Sequence, residues 1–260
     1  MRILLIVLLG FLFSPIQEMK IVSSRTVVAN NFTSDNIGNM YFIDGNSIVK
    51  EQANGNTPNR YSNTAYGEIK HFDVLNPMQL LLYYPDLAKI VFLDNTLSVH
   101  HDVSLVNYEL DQVSLVCSSV NSGFWVYDQL SMQLIRFNQQ VHRIQETGNI
   151  VQILGMEINP TFLAESNNHV YLSDPEKGVF VFDIFGTYLK TIPIQGIKSF
   201  QVDEENLYYL QNGDVFAFNF IDLTVNKITL PLQQIEHFSI EKKTIYTLKD
   251  KLLTKYIIAP

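Results

Sequence analysis

Six aspartates, Asp44, Asp86, Asp128, Asp174, Asp214 and Asp250, each stand in a short turn between two apolar or aromatic segments. Carboxylates placed this way can do two things. Asp is favoured in turns because its side chain accepts hydrogen bonds from nearby backbone N–H groups. If the turns are gathered on one side of the molecule, the same side chains form an acidic rim that steers a basic partner. Tyr83 and Tyr84 precede the Pro85-Asp86 turn. Aromatic side chains beside a polar turn suit protein or glycan contacts when exposed. Tyr84 therefore joins the six aspartates as a candidate binding residue, expected to be partly exposed.

Other chemistries find less support. The sequence has no phosphate-binding Gly-rich loop, dinucleotide fingerprint, His-Glu-x-x-His, Gly-x-Ser-x-Gly or paired Cys-x-x-Cys. His100-His101 is the only adjacent histidine pair. In a regular strand neighbouring side chains point to opposite faces, so the two would not share a metal. Glu165 and Asn121 are isolated candidates for a channel-bound cation of the kind a propeller lactonase uses, with nothing to set them apart from turn residues. No catalytic residue, metal ligand or cofactor is assigned from the sequence.

The elements that carry the aspartates repeat. Paired strands begin at Asn39, Gln79, Gly123, His169, Asn206 and Thr244, so the starts are 40, 44, 46, 37 and 38 residues apart. A period near 40 with two or more strands per copy is the pattern of a β-propeller blade. The expected fold is all-β, a six-bladed propeller. Segments such as Leu80–Tyr84, Phe124–Tyr127 and Val179–Phe182 are continuous apolar runs, as strands buried on both faces should be. The sixth copy ends after Leu252–Ile257 without a fourth strand, while Ile21–Val28 is β-rich and lacks a partner in its own copy. Pairing the two would close the ring and cover both edges. Nothing after the first segment is expected to be helical.

Arg2 followed by the apolar run Ile3–Phe13 and the polar stop Ser14-Pro15-Ile16-Gln17 has the form of a secretory signal peptide. Eleven residues are too few for a bilayer core, which needs about 20. Residues 1–19 are assigned to the signal peptide and residues 20–260 to the propeller, with no membrane span in the mature chain. Such a domain buries about 70–75% of its unfolded surface and needs no disulfide or metal. Cys117, the single cysteine, lies in the apolar run Val113–Cys117 and is expected to be buried and inert. The net charge of −8, with no Lys/Arg cluster beyond Lys242-Lys243, argues against nucleic acid and anionic membrane surfaces.

Asn76-Pro77, Phe92–Leu97, Gly123–Asp128 and Val181–Thr187 resemble a family of exported β-propeller proteins of flavobacteria and related Bacteroidota. The resemblance covers Tyr61 to Phe200. It implies an envelope location, periplasmic or outer-membrane-associated, and a propeller of the NHL or YWTD type. It implies no activity. The expected function is therefore a monomeric, non-enzymatic scaffold binding envelope proteins, accessory to an outer-membrane or secretion assembly. The alternatives are a hydrolase or lactonase with a channel-bound cation, and a carbohydrate-binding module.

Overall fold

The computed structural model describes residues 19–53, 55 and 57–258. Its first element is strand β1 (Met19–Thr26). Blade 1 follows as β2 (Asn31–Ser34), β3 (Met40–Asp44), β4 (Ser47–Glu51) and β5 (Asn59–Ser62). Blade 2 is β6 (His71–Asp73), β7 (Leu80–Tyr84), β8 (Lys89–Leu93) and β9 (Val99–Ser104). Blade 3 is β10 (Val113–Ser119), β11 (Gly123–Asp128), β12 (Gln133–Phe137) and β13 (Arg143–Glu146). A five-residue helix, α1 (Ile150–Leu154), leads into blade 4, which is β14 (Phe162–Ser166), β15 (His169–Asp174), β16 (Gly178–Asp183) and β17 (Tyr188–Ile192). Blade 5 is β18 (Phe200–Val202), β19 (Asn206–Gln211), β20 (Asp214–Asn219) and β21 (Val225–Ile228). Blade 6 is β22 (His237–Glu241), β23 (Thr244–Lys249) and β24 (Leu252–Ile258).

Every sheet has four strands, and the sixth is completed by β1 in the order β1-β24-β23-β22. The chain is thus a six-bladed β-propeller. Lys20 lies opposite Ile257 and Thr26 opposite Leu252, and Ser24 Oγ donates to Thr254 Oγ1 at 3.2 Å. The closing strand starts two residues earlier than the sequence indicated, at Met19 instead of Ile21. Except for Met19, the expected signal segment lies outside the described residues.

The apolar runs account for the core. All five residues of β7 and all six of β11 are buried. Each inner sheet face packs on the next blade. Trp125, Leu134, Phe180 and Phe182 belong to one cluster that joins blades 3 and 4. Cys117 sits in the same cluster, and burial together with the negative charges of Asp73 and Glu165 pushes its thiol well above the ordinary range.

The polar outer strands β5 and β9 pair with β4 and β8 through backbone bonds. One element departs from the expectation that nothing after the first segment is helical. The helix α1 is started by Asn149, whose side chain accepts from Gln152 N at 3.0 Å, and stopped by Gly155 in the left-handed region. Among the described residues no helix is long and apolar enough to cross a membrane.

Candidate functional site

All neighbouring strands within a blade are antiparallel, so the turns alternate between two faces of the disc. One face carries the β3–β4 turn and its equivalents, with the connections between blades. The other carries the β2–β3 and β4–β5 turns and their equivalents. The inner strands of all six blades surround an axial channel.

The six aspartates share the first face, but the structure divides them. Asp128 and Asp174 are buried, at 6% and 2% exposure. Asp174 accepts from Asn159 N at 2.7 Å, Glu176 N at 2.8 Å and Lys177 N at 3.1 Å. Asp128 accepts from Ser131 N at 3.0 Å and Ser131 Oγ at 2.6 Å. Both act as turn formers and cannot reach a partner. Asp214 is half-buried and paired with Lys227 at 2.6 Å. Only Asp44, Asp86 and Asp250 are exposed. The rim of six carboxylates is therefore a set of three.

Tyr84 is fully buried, which corrects its assignment as a surface residue. Its hydroxyl donates to Tyr61 Oη at 3.0 Å, and Tyr66 meets its ring edge-on at 5.4 Å. Burial pushes its pKa up, and the Tyr61 hydroxyl adds to the rise. Tyr83 is buried too; its hydroxyl donates to Val113 O at 2.7 Å, and burial raises its pKa to about 12. The rings sit at the turn in sequence but point between blades 1, 2 and 3.

The channel encloses about 610 Å³, lined among others by Ser34, His71, Asp73, Ser114, Phe162 and Glu241. Two of its acidic side chains, Asp73 and Glu165, bridge neighbouring blades. Asp73 Oδ2 accepts from Ser118 N at 2.7 Å. Glu165 accepts from Ser119 Oγ at 2.5 Å, Val120 N at 3.0 Å and Trp125 Nε1 at 2.6 Å. Arg136 Nε donates to Ser119 Oγ at 2.8 Å and extends the chain of bonds. Gln201 joins blade 5 to Ser239 and Ile240 N, and Ser239 Oγ lies 2.7 Å from Ser34 Oγ. Glu165, which the sequence offers only as an isolated candidate indistinguishable from turn residues, is thus a blade-to-blade clamp. Asn121 lies in the turn after β10 with φ of 59°. Among the described residues no group of three His, Cys, Asp or Glu is placed to hold a metal ion.

Like Ser114, His71 lines the channel with a polar atom that has no partner among the described residues. Its Nε2 is buried without a partner among the described residues, its ring meets Phe162 edge-on at 5.9 Å, and burial lowers its pKa against the opposing pull of Asp73.

The second face shows what the sequence reading missed. Four turns there share one design. Asp94, Asn138, Asp183 and Asn219 each begin a turn in which the residue three or four positions on is left-handed: Leu97 at φ 65°, Val141 at 59°, Gly186 at 86° and Leu223 at 60°. Asp183 Oδ1 accepts from Phe185 N at 2.9 Å and Thr187 N at 2.8 Å; Asn219 Oδ1 accepts from Ile221 N at 2.9 Å. Gly186 fits its position because glycine meets no Cβ penalty there. Leu97 recovers packing by being buried, whereas Leu223 is 63% exposed. Its neighbour Ile221 is 79% exposed and Phe185 65%. Phe220 anchors the same turn: it stacks on Tyr171 with centroids 6.3 Å apart, and Lys190 Nζ lies 5.7 Å over its ring. A cleft of about 170 Å³ opens beside it, lined by His169, Tyr171 and Lys190 among others.

A left-handed conformation costs a residue with a Cβ about 1–2 kcal/mol, and glycine in place of another residue loses about 0.5–1 kcal/mol of backbone entropy. Leu223→Gly is therefore expected to raise stability by about 0.5–1 kcal/mol, measured as an upward shift of the urea midpoint with an unchanged slope. A lowered midpoint would show that Leu223 packs usefully where it is.

No family model and no curated protein matches this chain. Solved structures do. A streptogramin B lyase is similar at 9% identity and a TM-score of 0.64, over 93% of this chain and 98% of that one. The Neurospora crassa Pan2 WD40 domain is similar at 8% identity and 0.64, over 95% and 97%. BBS1N, solved in complex with ARL6DN, is similar at 14% identity and 0.56, over 92% and 79%. At these identities the likeness shows a common fold alone, because propellers carry unrelated functions.

Proposed function

We propose that this propeller is a non-enzymatic, exported scaffold of a bacterial envelope that docks a protein partner on the face carrying the Phe185, Ile221 and Leu223 turns. The observation that carries the proposal is Leu223, an apolar side chain exposed to water in a backbone conformation that disfavours it. The turn needs a left-handed residue but glycine would supply it at less cost, and the exposed side chain gains little burial; a strained, exposed apolar residue is the kind that function retains.

The same face also presents Ile37, Met78, Phe185 and Ile221, each more than half exposed. Of the large apolar side chains exposed to that extent, the opposite face has Val28, Val106 and Leu130. The channel's carboxylates Asp73 and Glu165 are engaged between blades, which weighs against a hydrolase that would use them. BBS1N in complex with ARL6DN illustrates a propeller of similar architecture bound to another protein. The envelope location rests on the Arg2 to Phe13 pattern and the resemblance to exported Bacteroidota propellers.

The test is affinity capture from native envelope with tagged wild type and with a Phe185→Ser/Ile221→Ser/Leu223→Gly variant. The expected result is a stoichiometric protein partner captured by wild type and lost about tenfold or more by the variant, in line with apolar anchors dominating interfaces. Equal capture by both would overturn the choice of face. Capture of no partner would overturn the scaffold reading.

A further inference from the structure

Strand β9 breaks register with β8: Phe92 lies opposite His101 while Leu93 lies opposite Val99, so His100 is one residue in excess. Such a bulge sets two successive residues against one on the partner strand and re-aims their side chains. The condition that kept the two histidines apart, a regular strand, does not hold. Their Nδ1 atoms lie 2.7 Å apart, with ring planes at 76° and centroids 4.9 Å apart. His101 is held in place by stacking on Phe92, with centroids 4.4 Å apart and planes at 17°.

Two nitrogens at 2.7 Å share one proton, since two imidazolium rings would present N–H to N–H. The spacing has a second meaning. Two metal–nitrogen bonds of about 2.0 Å at a right angle hold their nitrogens about 2.8 Å apart. We propose that His100 and His101 form a bidentate Nδ1,Nδ1 chelate for Cu(II), which displaces the shared proton as both rings turn their Nδ1 lone pairs toward the metal.

Cu(II) fits best for two reasons. It accepts cis imidazoles in tetragonal geometry, and it binds N/O donors most tightly among the divalent first-row metals. The surroundings favour a cation. Asp94 interacts electrostatically with His100, and Asp102 does so with His101 while also pairing with Lys89 at 2.5 Å. The strand is the outermost of its blade, in the order β6-β7-β8-β9, and His100 is exposed, so water completes the coordination sphere and the metal exchanges.

The test is titration of the untagged full chain with CuCl₂ in a non-coordinating buffer, followed by calorimetry and electron paramagnetic resonance. Wild type is expected to bind one Cu(II) per chain in this site, with coupling to two imidazole nitrogens. His100→Gln and His101→Gln should each weaken binding about tenfold or more and remove one nitrogen from the spectrum. His100→Gln is the decisive variant, because the exposed side chain can be changed with the melting temperature held. Wild-type affinity and spectrum in His100→Gln, or a wild-type spectrum with a single nitrogen, would overturn the proposal.

Discussion

Glu165→Ala is expected to lower the stability of this protein by about 3–5 kcal/mol, as befits the removal of a buried charged acceptor from its donors. Three donors converge on that carboxylate, Ser119 Oγ, Val120 N and Trp125 Nε1, and the residue is 4% exposed. Alanine would leave the indole N–H and a backbone N–H facing a void that offers no acceptor. The serine hydroxyl can turn away; the other two cannot. For a domain of this size 1 kcal/mol moves the melting temperature by about 2–4 °C, so a fall of about 10 °C is expected. Glu165→Gln keeps one oxygen but turns an N–H₂ group toward donors, and should cost roughly half as much. A melting temperature within 2 °C of wild type for the alanine variant, by circular dichroism, would remove Glu165 from its place as the clamp between blades 3 and 4.

Gly178→Ala should be as damaging for a different reason. Gly178 opens β16 with φ of 113°, and a Cβ built there would lie 2.4 Å from Ile192 O. The obstacle is backbone on β17, where no side chain can swing aside. The substitution therefore combines a conformation that L residues rarely adopt with an overlap that must shift a strand, at a cost of about 3 kcal/mol or more. The expected readout is a lower melting temperature together with loss of near-ultraviolet ellipticity around blade 4. An unchanged melting temperature would mean that β17 moves freely, contrary to its pairing with β16 from Val179 to Phe182.

What the sequence discloses and what it hides follow from range. The inner and middle strands are legible because they are buried on both faces and composed of continuous apolar residues, as in Leu80–Tyr84. The polar outer strand Asn59–Ser62 is not, since its pairing is made by backbone groups that carry no sequence signal. Three of the five residues of the helix at Ile150–Leu154 are β-branched and favour strands; Asn149 before it and Gly155 after it were the available clues. Tyr84 looks exposed because it adjoins a turn, and only the neighbouring blade supplies its partner Tyr61. Glu165 could be named, but its donors lie 40 to 46 residues away. Likewise the histidine pair depends on a bulge, and a one-residue slip in register cannot be read from two adjacent letters.

The ring-closing pair β1 and β24 has a consequence for how the molecule is made. Ser24 and Thr254, bonded in the finished sheet, are 230 residues apart. At about 5–20 residues per second of synthesis, β1 waits roughly 10–50 s for the strand it pairs with. Throughout that interval its backbone N–H and C=O groups form an unpaired edge, and no amount of local stability in blades 1 to 5 can cover it. The last step of assembly is thus a long-range closure, the slowest kind of contact to form. A binding protein that occupies the first strand until the last one is released would act on yield and leave the final stability untouched.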